Sequence, residues 1–159
     1  MIFLTTGSQL PFDRLVQAVD AWAGRRPDMH IFGQIGAANY EPVNFDWASS
    51  ITPGHFEERI AACETVVAHA GMGTIISGIE RGKRVLVMPR LASCGEHRND
   101  HQLATAKRLR HLKGLEVVHT REALTLALDT PPEVFDTSVL ETDPQLIQTI
   151  RRFSGLLAA

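Results

Sequence analysis

A chain of 159 residues is long enough for one domain with a proper core, burying roughly 70% of the surface its unfolded form exposes. Its formal net charge of −2 argues against a polynucleotide partner, which needs a dense basic face. A small anion stays open as a ligand, since local dipoles and a few cations are enough to hold one. Cys63 and Cys94 are far from any zinc-type spacing and too few to staple such a domain, so they read as reduced thiols in a cytoplasmic setting.

Met1 to Gly7 lacks a basic flank and is too short for a signal segment, so Ile2 to Thr6 reads as a buried first strand that breaks at Gly7-Ser8-Gln9. Pro11 suits the first turn of a helix, and Phe12, Leu15, Val16, Val19, Trp22 and Ala23 recur at helical spacing until Gly24 and Pro27 close it. This strand–glycine–helix opening has neither GxGxxG nor a Walker lysine, so a phosphate loop and a plain tight turn fit it equally well. Met29 to Phe32 predicts a second strand, Gly33 to Asp46 a loop, Trp47 to Ile51 a short third strand, and Pro53 to Cys63 a helix with Phe56, Ile60 and Ala61 on one face.

The stretch from Val66 to Gln102 organises the rest. A β-branched run, Thr65 to Val67, ends in His69-Ala70-Gly71-Met72-Gly73-Thr74 and passes at once into a helical pattern. A second apolar run, Val85 to Met88, stops at Pro89, and a polar loop leads into a helix from about Asn99 to Leu112, ended by Gly114. Leu115 to Val118 is a further strand, and Thr120 caps a helix through Leu128. Pro131-Pro132 marks a break between a domain spanning 1–130 and a tail spanning 131–159. In that tail Glu133 to Thr142 is irregular, and Asp143 caps a last helix bearing Leu146, Ile147, Ile150, Phe153 and Leu157, which packs on the core or reaches a partner. No apolar run approaches a membrane span.

Alternating strands and helices predict an α/β fold: a mostly parallel sheet with helices on both faces, whose ligand lies beyond the carboxyl ends of the strands. Gly7 to Gln9, His69 to Thr74 and the loop from Arg90 to Gln102 all fall at such ends. Gly71 and Gly73 let backbone approach an anion, and the helix from near Thr74 aims free N–H groups there, an end equivalent to roughly +0.5 charge. A plain strand-to-helix turn has the same spacing. His69 either donates to a phosphate or sugar hydroxyl or packs against a backbone partner. Glu96, His97, Asp100 and His101 invite a metal, yet the pattern is not HExxH and offers no third ligand, so none is assigned. Asp100, His101 and Gln102 suit recognition of hydroxyls. Arg90 and Arg98 offset phosphate charge or are solvated at the surface, and Lys83 and Arg84 solvate a turn at the opposite end of the strand.

HAGMGT, followed by GKRVLVMPR and NDHQ, resembles the C-terminal, donor-binding domain of family 28 glycosyltransferases, and Leu4 to Leu15 matches the same group. The resemblance spans Met1 to about Leu128. It is similar in particular to single-domain, PssE-like subunits of exopolysaccharide synthesis and to the small subunit of the split N-acetylglucosaminyltransferase of dolichol-linked oligosaccharides. The resemblance implies a Rossmann-like fold equivalent to the C-terminal half of a GT-B enzyme. It implies that Gly7 and Ser8 lie beside the diphosphate of a UDP-sugar, that Gly71, Gly73 and Thr74 bind it, and that His101 and Gln102 contact the sugar. The glutamate that holds the ribose in many members falls here at Ser77; Glu80, one turn later, replaces it only if the helix is shifted. No cofactor or metal is implied.

Enzymes of this type have two α/β domains, and this chain has room for one. The resemblance therefore implies a bipartite enzyme: a subunit at the inner face of the membrane, recruited by a membrane-anchored partner that supplies the general base and the site for a lipid-linked acceptor. No catalytic residue is assigned to this chain. The PssE likeness points to glucuronic acid or glucose as the sugar. A non-catalytic nucleotide-binding subunit that regulates or stabilises a partner is the alternative. A UDP-sugar epimerase shares the architecture but has both domains in one chain, and the missing GxGxxG disfavours a dinucleotide oxidoreductase.

Overall fold

A computed structural model describes residues 1–132. In chain order it holds β1 (Ile2–Thr5), α1 (Asp13–Ala23), β2 (Ile31–Gln34), β3 (Asp46–Ala48), α2 (Pro53–Ala62), β4 (Thr65–His69), α3 (Met72–Glu80), β5 (Arg84–Met88), a short 3-10 turn (Ala92–Cys94), α4 (His101–Leu109), β6 (Leu115–Val117) and α5 (Arg121–Asp129). The strands form one sheet in the order β3-β2-β1-β4-β5-β6, and every neighbouring pair is parallel.

The apolar runs are continuous because each strand is buried on both faces. Successive side chains point to opposite sides of the sheet and feed two cores. Leu4, Val67, Leu86 and Met88 pack with Phe12, Leu15, Val19 and Trp22 of the first helical segment and Leu124 of α5. Their neighbours Phe3, Val66, Val85 and Val87 pack on the other face with Ile60, Ile75, Ile79, Ala106 and Leu109 from α2, α3 and α4. Phe3, Phe12 and Trp22 are at most 1% exposed, and burying such a side chain stabilises the fold by about 1.5–3 kcal/mol. The expected parallel sheet with helices on both faces is what forms.

The departures have local causes. Pro11 lies outside α1, because Phe12 takes the N-cap position with φ −141°. Gly33 sits inside β2 rather than opening a loop: the Phe45 ring occupies the place of a Cβ, 2.7 Å away. β3 ends at Ala48, and Ile51 turns in to pack against the second core. α4 starts two residues late, where Asn99 Oδ1 accepts the His101 N–H at 3.2 Å. Thr120 caps α5 as expected, its hydroxyl accepting the Ala123 N–H at 3.1 Å. The irregular stretch from Glu133 and the helix from Asp143 lie outside the described residues.

From β1 the chain builds outward to β2 and β3, then crosses back to place β4 on the other side of β1. The strand order reverses there. In open parallel sheets the crevice at the carboxyl ends of the strands flanking that reversal is where ligands bind.

Candidate functional site

Both walls of this crevice are glycine turns, and the His69 ring lies between them. On the β1 side Gly7 has φ +77°. Thr5 donates its hydroxyl to Gln34 Oε1 at 2.6 Å, and Gln34 Nε2 donates to the Gly7 and Ser49 carbonyls, each at 3.1 Å. This buried network fixes the turn and leaves Ser8 exposed. On the β4 side, His69 is the last residue of the strand and Gly71 is the N-cap of α3. A Cβ on Gly7 would sit 2.7 Å from His69 Cε1, and one on Gly71 would overlap His69 Nε2. The sequence reading gives Gly71 a role in anion approach. The structure supplies another physical reason for it: the imidazole needs the space.

His69 Nδ1 is buried with no hydrogen-bond partner among the described residues. Burial first, then the Arg90 charge, lowers its pKa to about 4, with the Thr5 backbone pulling weakly upward and His97 adding slightly to the fall. The ring is therefore neutral near pH 7.

α3 begins with no side-chain cap and no acidic residue in its first turn. Gly71 donates its own N–H to the His69 carbonyl at 2.7 Å, and the first helical bond runs from the Ile75 N–H to the Gly71 carbonyl at 3.1 Å. The N–H groups of Met72, Gly73 and Thr74 therefore have no intrahelical acceptor. Thr74 is buried, whereas a Cβ on Gly73 would meet nothing within 4 Å. Ser77 and Glu80 follow Gly73 at i+4 and i+7, so all three lie on one open stripe of the helix. Glu80 is exposed at the last position of α3, about 10 Å along the axis from Gly73.

The β5–α4 loop is assembled differently, from side chains. Arg90 is read from the sequence as a phosphate counter-charge or a solvated side chain, and the structure corrects this. It is 3% exposed, and its guanidinium donates to the carbonyls of Thr6 (2.8 Å), Leu10 (2.6 Å), Glu96 (3.3 Å) and Pro11. Gln102 is also buried: its Oε1 accepts the Arg90 N–H at 3.1 Å, and its amide nitrogen makes no hydrogen bond among the described residues. Asp100 accepts the Ala92 N–H at 2.9 Å. Both side chains hold the loop in shape.

His101 is exposed, tied by Nδ1 to Asn99 Oδ1, and meets the His97 ring edge-on at 4.3 Å. The His97 pKa is lowered, by slight burial first and then by His101, Arg90 and Arg98, which marks an electropositive rim. Arg98 is exposed on it.

Sequence reasoning missed the ion pair at the base of this loop. Arg14 of α1 grips Glu96 through two nitrogens at 2.7 and 2.8 Å and also donates to the carbonyls of Pro89 and His119 at 2.9 and 3.1 Å. Glu96 accepts the Leu91 N–H as well, at 2.9 Å. Among the described residues no three His, Cys, Asp or Glu side chains are grouped to hold a metal ion. Surface cavities of about 290 Å³, lined by Phe32, His55 and Arg59, and about 460 Å³, lined by Arg25, Arg121 and Leu126, contain none of the crevice residues.

No helix among the described residues is long and apolar enough to cross a membrane. The fold has counterparts in solved glycosyltransferases. The glycotransferase of kitacinnamycin is 23% identical with a TM-score of 0.60, over 98% of this chain and 37% of that one. The calicheamicin glycosyltransferase is 16% identical with a TM-score of 0.56, over 80% and 33%. Spinosyn forosaminyltransferase is 17% identical with a TM-score of 0.53, over 99% and 44%. At these identities the likeness is one of fold, the Rossmann-like C-terminal half of a GT-B enzyme, and the chain spans less than half the length of each. No curated protein matches the sequence significantly. The model of the glycosyltransferase family 28 C-terminal domain matches residues 1–130, and the chain belongs to that family.

Proposed function

We propose that this chain is the donor-binding, catalytic subunit of a bipartite glycosyltransferase that moves a sugar from a UDP-sugar to a lipid-linked acceptor. One observation carries the reading: the Gly7 turn, the neutral His69 ring and the uncapped start of α3 meet at the switch point of a family 28 domain. The diphosphate sits on the free N–H groups of Met72, Gly73 and Thr74, where the helix dipole contributes up to ~2 kcal/mol. Gly7 and Ser8 close on it from the β1 side. The sugar faces His101 and the free amide of Gln102, with Arg98 offsetting charge at the rim. The ribose runs along the stripe of Ser77 and Glu80.

As the glycosidic bond breaks, negative charge grows on the departing diphosphate. Dipoles already fixed there stabilise that charge without reorganising. The general base and the acceptor site belong to a second domain, which we assign to a membrane-anchored partner. The PssE likeness supports exopolysaccharide synthesis, with glucuronate or glucose as the sugar. Calorimetric titration with UDP, followed by a transfer assay on the chain mixed with its partner, tests the reading. Saturable UDP binding and site-dependent turnover are expected. Absence of binding at millimolar UDP, with the partner added, overturns it, and turnover that survives loss of the UDP site leaves only a regulatory module.

A further inference from the structure

Arg90 binds the loop that faces the crevice at both ends. Its Nη2 donates to the carbonyls of Thr6 and Leu10, and between those residues lie Gly7, Ser8 and Gln9. Its Nη1 reaches the Pro11 and Glu96 carbonyls, and the guanidinium lies 4.6 Å from the Phe12 ring centroid. The carboxylate of Glu96 is already held bidentately by Arg14. The hydrogen bonds of the buried guanidinium thus go to backbone carbonyls, while the Glu96 carboxylate offsets its charge without bonding it. A planar fork with five donors can gather carbonyls from several directions, and a lysine ammonium on a flexible stem cannot hold the same set.

The peptide unit is planar and trans, so a Thr6 carbonyl turned toward Arg90 sets the Gly7 N–H on the opposite side. That N–H makes only a long 3.4 Å contact to Thr5 Oγ1. A bond of that length is weak and yields to a better acceptor.

We infer that Arg90 is a positioning residue for the donor diphosphate, acting without touching it by pinching the Gly7–Gln9 loop closed. This rests on the proposed donor site. The role differs from that of a direct counter-ion, and it differs from inert packing, because the loop's two ends share one nitrogen.

The test compares the parent chain with Arg90→Lys, which keeps the charge and loses the fork. UDP affinity is measured by calorimetry and the backbone amides by ¹⁵N NMR during the titration. Arg90→Lys is expected to bind UDP roughly tenfold more weakly, the size of one lost charge-assisted hydrogen bond. Its Gly7 and Ser8 amides stop responding to UDP, while those of Gly73 and Thr74 still shift. Unchanged affinity with Gly7 and Ser8 still responding overturns the inference and leaves the donor site standing. A parent chain that binds no UDP overturns the donor reading and the inference with it. If Arg90→Lys does not fold, the parent decides: on UDP addition the Gly7 and Ser8 amides should move while the Arg90 Nε resonance stays in place. A large Arg90 Nε shift, or still Gly7 and Ser8 amides, contradicts positioning.

Discussion

The two sides of the candidate site are built by opposite means. The crevice between β1 and β4 is made of backbone: glycine turns, an uncapped helix start and one neutral ring. The β5–α4 loop is held by side chains: Asp100 and Gln102 bond its own backbone, Arg90 reaches the β1–α1 loop, and Glu96 pairs with Arg14 of α1. The first kind of wall offers fixed dipoles to an anion and adds no net charge of its own. The second kind holds several loops in register, and its free groups remain at the rim. Open backbone dipoles and side-chain scaffolding are thus divided between the two walls, and substitutions should separate them.

The largest expected effect falls on the side-chain wall. Glu96→Ala leaves Arg14, the Leu91 N–H and the loop base without their shared acceptor. Removing one partner of a largely buried pair costs about 3 kcal/mol. Urea denaturation should show that loss, and a change under 1 kcal/mol would mean the wall does not depend on the pair.

The next effect is on the backbone wall and depends on pH. His69 has a pKa near 4 in the folded chain against 6.5 for an ordinary histidine. The unfolded chain then binds the extra proton between those values, so stability is full above pH 6.5 and falls as pH drops toward 4. Between pH 7 and pH 5 the loss is about 2 kcal/mol from this group. Comparing urea midpoints of the parent and His69→Gln at both pH values isolates it; parallel pH dependences would contradict a buried, neutral ring.

Gly71→Ala tests the same ring sterically. The new methyl collides with the imidazole, so the variant should lose about 1–3 kcal/mol in stability. An unchanged melting temperature would show that His69 can swing away freely.

How far each wall could be read from sequence follows the same division. The sheet, its helices and the glycine turns were legible because their signals are local: apolar runs bounded by glycine or proline, and helical spacing after Gly71. The boundaries slipped where a tertiary contact decided them, as at Gly33, whose missing Cβ makes room for Phe45. Arg90 carried no local sign that its partners lie about 80 positions away in the β1–α1 loop, and the Arg14–Glu96 pair spans 82 positions. A charged residue after a strand looks the same whether it faces a phosphate or a buried carbonyl. Gly71 was legible as a glycine that must be kept, while the ring that requires it is visible only once β1 and β4 are side by side.

The central claim is that the open start of α3 holds the donor diphosphate, and Gly73 isolates it because a side chain there meets nothing in the fold. The decisive measurement is the UDP affinity of Gly73→Asp, taken with its melting temperature. The melting temperature should match the parent's while a carboxylate in the anion site weakens UDP binding by at least roughly a hundredfold. A folded Gly73→Asp that binds UDP as the parent does would contradict the account.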